Sequence, residues 1–301
     1  MAAGDRVTLP GHIQYGDELL LGPGTPFRWR TLSGWEDLPA LDSGSINRSD
    51  AHGSYPGRLL AQPRTITCDE VIVRAPAATI GATVRTLNAA TTVVEDEQPL
   101  VVWLDDRGPL LAYARVVRRA VPVGLGYRLG TITGAAIQWE ASDPRRYSLA
   151  EQQVETRLPM AEPGLDFHLD PGPERLDFPL DFGAPGSTGT VVARNEGDAA
   201  AHPVITFRGP VALPSLTDLG TGDVLEYDIE LAADDTLLVD TAAGTVQLNR
   251  TASRLYTATA RSVPENTFTL APGTALLSFR AAPGSADPRA SCSVRWRSAY
   301  W

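Results

Sequence analysis

The clearest pattern in the chain is the alternation of apolar and polar residues over its last third, residues 189–301. In residues 224–231 every second side chain is apolar and the side chains between them are acidic. Successive side chains of a β-strand point to opposite faces, so this segment is predicted as a strand with one buried face and one hydrated face. Residues 291–300 repeat the pattern, and the predicted inward side chains are Cys292, Val294 and Trp296.

A hairpin is predicted within the same part of the chain. Two alternating segments, 237–240 and 245–249, are separated by Thr241-Ala242-Ala243-Gly244, where glycine can take the positive φ that a tight connection needs. We count about eight to ten short strands over residues 189–301 at this spacing. Many short strands separated by turns predict a β-sandwich or a jelly roll.

The first part of the chain has strand patterns on both sides of one helix pattern. The helix is predicted over residues 76–90, because Pro76 suits a first turn and three apolar residues recur at helical spacing. Those three residues are Ile80, Val84 and Leu87. In residues 64–74 the alternation changes phase, which indicates a pair of strands or a bulge. The other predicted strands cover residues 13–21, 27–35, 100–104, 110–117, 126–140 and 147–158. This order of elements predicts an α+β domain.

A proline-rich segment separates the two parts. Residues 159–188 contain six prolines, with acidic residues scattered between them. Proline lacks the amide hydrogen that helices and central strands use, so the segment is predicted as a connector or an extended arm. We therefore divide the chain into a first domain at residues 1–160, a linker at 161–188 and a sandwich at 189–301.

Charge and composition exclude several classes of function. The net charge is −10, and all 26 basic residues are arginine, so no lysine is available as a phosphate ligand, Schiff base or general base. An acidic chain is also poorly suited to grip a nucleic acid backbone. Residues 1–20 lack the apolar core of a signal peptide, and no apolar run is long enough to cross a bilayer. We expect a soluble protein that is made in a cytoplasm and neither binds nucleic acid specifically nor inserts into a membrane.

Candidate reactive residues are few, and each has a plainer interpretation. Cys68 and Cys292 lie within apolar strand patterns and are interpreted as small buried side chains. The glycine-rich segment 124–130 is similar to a dinucleotide-binding loop. A strand pattern follows it where that motif requires a helix, so we predict a strand with close backbone approach. Three histidines stand alone in the sequence, and they are His12, His52 and His202.

One group of residues has the donor types of a metal site. Asp166, His168 and Asp170 lie on one side of an extended segment, and Glu174 or Asp177 follows within a few residues. A hard or borderline metal ion could use such a set, but a hydrated acidic linker is the simpler interpretation.

Two carboxylate clusters leave a hydrolase open as an alternative. Residues 105–106 and 95–97 are acidic and flank a predicted strand. Charge at such turns usually keeps them hydrated, but glycosidase carboxylates are brought together only by the fold. We assign no catalytic, cofactor-binding or metal-binding residue, and we predict that the chain is not an enzyme.

Aromatic residues near the end of the chain leave a sugar-binding surface open. Aromatic ring faces can stack on the apolar faces of sugars. The candidates are Trp296, Tyr300 and Trp301. Trp296 is in phase with the inward residues and is expected in the core. The other two are expected against the sheet or against a neighbouring subunit.

Six segments spread over most of the chain carry a resemblance to a known family. They cover residues 50–57, the helix 76–90 with residues 99–105, and residues 139–148, 195–199, 203–210 and 235–249. Taken in this order, they resemble the distal tail proteins of long, non-contractile-tailed bacteriophages. The family's commoner turn after the last hairpin has glycine where this chain has Arg250, a departure that leaves the fold prediction intact.

The resemblance implies a mainly β protein with two domains. The first would be an N-terminal α+β ring-forming domain, a β-barrel or sandwich with one helix. The second would be a C-terminal galectin-like β-sandwich. Six copies would form a ring in the baseplate at the tail tip of the virion, closed by head-to-tail contacts of the first domain. The ring would join the tail tube protein to the tail hub or fibre and let DNA pass through its lumen. Neither a cofactor nor a metal is implied.

A carbohydrate-binding module is the alternative to this structural role. In that case the C-terminal sandwich would recognise a host cell-wall glycan. In the structural role the sandwich would dock host-binding proteins or stay idle. A galectin-like shape does not by itself establish sugar binding, because one fold serves many functions.

Overall fold

The computed structural model describes residues 2–160, 186–285 and 287–301. The chain forms two compact units, of which the first is Met1–Ala150 with Ala299–Trp301 and the second is Glu151–Ser298. The second unit is therefore inserted into the first. The linker predicted at residues 161–188 lies, except for its last three residues, outside the described residues.

The first unit contains thirteen strands before the insertion. They are β1 (His12–Tyr15), β2 (Leu19–Leu21), β3 (Phe27–Arg28), β4 (Thr31–Ser33), β5 (Leu41–Asp42), β6 (Ile46–Asn47), β7 (Ser54–Tyr55), β8 (Leu60–Ala61), β9 (Arg64–Arg74), β10 (Gln98–Trp103), β11 (Pro109–Ala120), β12 (Thr131–Ala141) and β13 (Arg146–Ser148). Its helices are α1 (Ile80–Ala90) and the single-turn α2 (Leu125–Arg128).

The second unit contains twelve strands in its described residues, and one more strand follows it. Those of the second unit are β14 (Gln152–Arg157), β15 (Thr190–Asn195), β16 (Val204–Arg208), β17 (Val211–Ala212), β18 (Ser215–Asp218), β19 (Val224–Glu226), β20 (Glu230–Leu231), β21 (Thr236–Asp240), β22 (Thr245–Leu248), β23 (Ala252–Ser253), β24 (Gly273–Arg280) and β25 (Ser291–Trp296). Two short 3-10 helices cover Leu255–Thr257 and Glu265–Thr267. The chain then returns to the first unit as β26 (Ala299–Tyr300).

The first unit is built around one nearly closed, barrel-like sheet. Its strand order is β2-β1-β10-β11-β12-β9-β3, with β4 added on β9 and with β13 joining β11 to β26. Helix α1 packs on the core through Ile80, Val84 and Leu87, which confirms the helix predicted from their spacing, but the helix begins at Ile80 and not at Pro76. In the interior of the barrel-like sheet, Tyr15 lies against Trp139, with ring centroids 5.9 Å apart. This sheet supplies the rigid frame from which the loops of the unit project.

The phase change predicted within residues 64–74 is a bulge inside one strand. β9 runs without interruption from Arg64 to Arg74, but its register with β12 shifts twice. Within the irregular part Glu70 has a φ of 52°, a value that side-chain-bearing residues rarely adopt. A bulge increases the local twist of a strand and so helps a sheet to curve towards closure.

The prediction of a strand over residues 126–140 is wrong at its beginning. Residues Leu125–Arg128 form α2, and the strand begins only at Thr131. The expected close backbone approach is present, because a side chain on Gly126 would lie 2.3 Å from the carbonyl oxygen of Thr131. Gly130 turns the chain with a φ of +81°.

The second unit is a sandwich of two main sheets. The six-stranded sheet has the order β14-β25-β16-β21-β22-β23, and the four-stranded sheet has the order β15-β24-β18-β19. Phe207 of the first sheet contacts Phe279 of the second, with ring centroids 5.8 Å apart. The predicted hairpin is confirmed, since Asp240 pairs with Thr245 and Gly244 has a φ of +62°.

Two predicted strands of this part are each divided in the structure. Residues 224–231 form β19 and β20, which belong to different sheets. Glu226, predicted to face water, is buried and accepts hydrogen bonds from Thr259 Oγ1 (2.9 Å) and Arg261 Nη1 (2.8 Å). Residues 291–300 form β25 in the second unit and β26 in the first.

The division between the units also differs from the predicted domain boundaries. β14 lies within the predicted first domain, yet it pairs along its whole length with β25 of the second unit. The break between the units falls between Ala150 and Glu151.

Candidate assembly surface

An arm leaves the barrel-like sheet between β4 and β9. We define the arm as residues 38–61. It is a long hairpin of two short ladders, in which Leu41 pairs with Ala61 and Ile46 pairs with Tyr55. The arm contains residues 42–57, a Gly/Ser/Asp-rich segment that has no strand pattern in the sequence.

The arm has no buried face of its own. From residue 40 to residue 60 every residue except Gly57 is exposed, and Ile46 retains 71% of its accessible surface. The exposed large apolar residues of the arm are Leu38, Leu41, Ile46, Tyr55, Leu59 and Leu60. An isolated two-stranded hairpin is marginally stable in water. A cluster of exposed apolar side chains of this size marks an interaction surface. The recurring leucine and isoleucine side chains are the signal by which the sequence could have shown it.

A buried arginine fixes the base of the arm. Arg64, at the start of β9, donates from Nε to the carbonyl oxygen of Pro144 (2.6 Å). Its Nη1 donates to the carbonyl oxygens of Gly34 (2.8 Å), Trp35 (3.0 Å) and Asp37 (2.7 Å). Burial, together with the positive charge of Arg146, lowers the pKa of Arg64 to about 10. The guanidinium stays charged at neutral pH and holds the chain on both sides of the arm.

A second arginine links the arm base to the returning end of the chain. Arg146 of β13 donates to Glu36 Oε1 (2.8 Å) and also to the backbone oxygen of Trp301. Its guanidinium lies 5.7 Å from the ring centroid of Trp35. Since β13 also pairs with β26, the arm base and the last strand share one set of contacts within the first unit.

The acidic loops beside the arm have structural partners. Asp105 accepts both the Nε and the Nη2 hydrogens of Arg107, and these bonds lower the pKa of Asp105. Glu97 accepts the backbone amide hydrogen of Ser142 (2.7 Å). A catalytic acid needs a raised pKa, so the hydrolase interpretation gains no support from Asp105.

The cysteine and histidine candidates occupy structural positions. Cys68 and Cys292 are free and buried, as predicted. Burial raises the pKa of the Cys68 thiol to about 12 and also raises that of Cys292. His12 lies between the amide of Thr8 and the carbonyl of Pro23. His52 is exposed on the arm, and His202 lies 3.5 Å from Thr241 Oγ1.

The metal-site candidates cannot be placed. Asp166, His168, Asp170, Glu174 and Asp177 all lie outside the described residues. Within the part of the chain that the structure describes, no group of three His, Cys, Asp or Glu side chains could hold a metal ion. Within the same part, neither helix has the length and hydropathy that a membrane-spanning helix needs.

The aromatic candidates for sugar binding lie in different surroundings. Trp296 is buried in the second unit, as its phase predicted, and its Nε1 donates to the carbonyl oxygen of Arg194 (3.0 Å). Tyr300 and Trp301 belong to the first unit. Tyr300 pairs with Arg146 at the edge of the sheet, and Trp301 is 38% exposed. The three residues are therefore divided between the two units.

Comparison with known proteins shows which fold this is. No family model matches the chain, and no curated protein matches it. It is similar to the crystal structure of the Dit protein (gp 19.1) of phage SPP1, described as a paradigm of the hub adsorption apparatus of phages that infect Gram-positive bacteria. The TM-score is 0.64 at 12% identity, over 96% of this chain and 99% of that chain. It is also similar to a chain of the phage P2 baseplate in its activated conformation with calcium, with a TM-score of 0.50 at 9% identity over 96% and 98% of the two chains. Over 96% of its length, this chain has the fold of the SPP1 Dit protein.

Proposed function

We propose that the chain is a structural protein of a phage tail tip, a distal tail protein that assembles into a six-membered ring. The observation that carries the proposal is the likeness to the SPP1 Dit protein over both units and over nearly the whole of each chain. A shared fold alone leaves function open, and the exposed apolar arm adds a feature that an assembling protein needs.

In this role the first unit forms the contacts between copies. The arm has no intramolecular core, so its apolar residues lose water only against another chain. A head-to-tail contact repeated with a closing rotation gives a ring. The ring joins the tail tube to the tail hub, and the net charge of −10 suits a lumen through which DNA passes without sticking.

The proposed role requires no reaction chemistry. The carboxylates Asp105 and Glu97 and the thiols of Cys68 and Cys292 are held by structural contacts or by burial. We infer that the protein acts by assembly and not as an enzyme, and that it resides in the virion.

The decisive experiment measures the mass of the full-length protein. Light scattering and negative-stain microscopy are expected to show a ring with about six times the chain mass of 32.2 kDa. Ile46→Asp is expected to reduce the assembly to monomers, because it places a charge in the arm's apolar surface. The matched control is Val192→Asp, an exposed position of the second unit, which should leave the ring intact. A wild-type protein that stays monomeric at high concentration would contradict the ring.

A further inference from the structure

The surfaces at the two ends of strand β9 differ in charge. The strand has 11 residues and therefore spans about 33 Å. It begins at Arg64, beside the arm, and ends at Arg74. The loops around Arg64 and the loops around Arg74 therefore lie at opposite ends of this strand.

The end at Arg74 is basic. Thr131 pairs with Arg74, and the amide of Ala75 donates to the carbonyl oxygen of Gly130 (3.1 Å), so the α2 loop lies at this end. Helix α1 also begins here, because a side chain on Gly81 would lie 3.9 Å from the Tyr127 hydroxyl. Residues 71–85 and 121–135, which supply this end, contain three arginines, Arg74, Arg85 and Arg128, and neither Asp nor Glu.

We define the basic end by the exposed residues Arg74, Arg85, Arg128, Val123, Leu125 and Leu129. Arg85 lies one helical turn after Gly81, on the same face of α1. Leu125 is 81% exposed and Val123 is 79% exposed. Glu70, four residues before Arg74, is paired with Arg30 (3.6 Å). Exposed apolar side chains within a rim of arginines are the composition of a protein interface.

The opposite end, around the arm base, is acidic. The loops there are joined by the hydrogen bonds of Arg107 to Glu36, of Arg64 to residues 34–37, and of Glu97 to Ser142. Nine carboxylates lie in these loops and the adjoining strand ends, namely Glu36, Asp37, Glu95, Asp96, Glu97, Asp105, Asp106, Glu140 and Asp143. Five arginines lie among them, namely Arg64, Arg107, Arg115, Arg145 and Arg146. Carboxylates therefore outnumber arginines here, and the apolar arm projects from the same end.

We propose that successive copies of this chain meet with the basic end of one copy on the acidic end and arm of the next. This inference rests on the proposed ring and specifies its contact. The charges are complementary, and each side adds exposed apolar residues that the contact would remove from water. Because the two surfaces lie at opposite ends of β9, the contact is heterologous, as a closed ring of identical copies requires.

Disulfide cross-linking between two variants that each carry one introduced cysteine tests this contact directly. Ile46→Cys labels the arm and Leu125→Cys labels the basic end, and both positions are exposed. The native cysteines are buried, so they give no background. Under mild oxidation the mixture of the two variants is expected to form a cross-linked dimer. Neither variant alone is expected to form one. Val192→Cys, on the second unit, is the control partner for Ile46→Cys and should give no dimer.

Salt and charge reversal provide a second readout. The cross-linked fraction is expected to fall several-fold in 1 M NaCl, where the screening length is about 3 Å. Arg85→Glu with Arg128→Glu in the Leu125→Cys chain should cause the same loss at low salt, because both arginines are exposed and belong to the basic end.

The outcomes separate this inference from the proposed function. If wild-type rings form but the mixture does not cross-link, or if Ile46→Cys alone does, the contact is wrong while the ring stands. The basic end would then serve a different tail protein, or the arms would contact each other. If light scattering shows no ring in the wild type, the proposed function fails first, and this contact fails with it.

Discussion

The turn between β22 and β23 places an arginine where the backbone favours glycine. Residues 248–251 form a turn in which the amide of Thr251 donates to the carbonyl oxygen of Leu248 (3.1 Å). Its central residues, Asn249 and Arg250, have φ angles of 49° and 60°. Positive φ at both central positions is typical of a type I′ turn, whose preferred sequence is Asn-Gly. We therefore expect Arg250→Gly to stabilise the second unit.

The expected gain follows from two opposing contributions. A side-chain-bearing residue in the left-handed region costs about 1 to 2 kcal/mol. Glycine loses about 0.5 to 1 kcal/mol more backbone entropy on folding. The difference predicts that Arg250→Gly raises the free energy of unfolding by about 0.5 to 1 kcal/mol. For a protein of this size the melting temperature should rise by about 1 to 4 °C.

The surroundings of Arg250 allow the wild type and Arg250→Gly to be compared without loss of other contacts of the turn. Arg250 is exposed, and the contacts that hold the turn belong to Asn249. The Asn249 Oδ1 accepts the amide hydrogen of Thr236 (2.9 Å), and the Asn249 Nδ2 donates to Asp235 Oδ1 (2.9 Å). Substituting Arg250 therefore changes the backbone preference and one surface charge while leaving these hydrogen bonds in place.

Scanning calorimetry of the full chain should resolve the effect, with two control variants. Arg250→Ala removes the same charge but keeps the left-handed cost, so its melting temperature should match that of the wild type. Gly244→Ala tests the reverse change at a φ of +62°, where the added carbon would approach nothing closer than 3.9 Å. It should destabilise by about 1 kcal/mol. If Arg250→Gly is no more stable than Arg250→Ala, the argument from backbone strain is refuted.

Two further predictions concern the first unit. Arg64→Met should lower the free energy of unfolding by about 3 kcal/mol, because it leaves the buried carbonyl group of Trp35 and the part-buried ones of Pro144 and Asp37 without this donor, and hydrogen exchange should accelerate first at the arm base. Burial alone would raise the pKa of Asp143, but hydrogen bonds from Arg145 and Tyr147 outweigh it and lower that pKa. Its contribution to stability is thus present above the unfolded pKa of about 3.9 and is lost as the pH falls. Asp143→Asn should reduce the pH dependence of unfolding below about pH 4, and an unchanged acid limb would contradict this reasoning.

The spacing of apolar residues predicts a helix or strand well when the buried side chains of that element follow a single periodicity. Helix α1 has three inward residues at helical spacing, and its apolar face is covered by one sheet. The burial of Trp296 follows from its phase because β25 packs against one core along its whole length. In both cases the information needed lies within the element itself.

The pattern fails where a partner distant in sequence decides the structure. Residues 291–300 read as one strand, but β26 pairs with β13, about 150 positions earlier in the chain. Glu226 alternates like a surface residue, and only Arg261 and Thr259, from a later loop, allow it to be buried. Neither partner can be recognised from the spacing within the predicted strand.

The arm and the basic end are a third kind of case, in which apolar side chains stay exposed in the folded chain. Ile46, Tyr55, Val123 and Leu125 have apolar side chains that this fold leaves exposed, so burial within the folded monomer does not explain why they are there. A sequence usually agrees with its structure at every level, and exceptions concentrate at functional sites. These exceptions share one physical requirement, which is loss of water against another surface. The sequence pattern did not predict the arm because its apolar residues have no buried face in the monomer. That exposure is the strongest local argument that this chain works in an assembly.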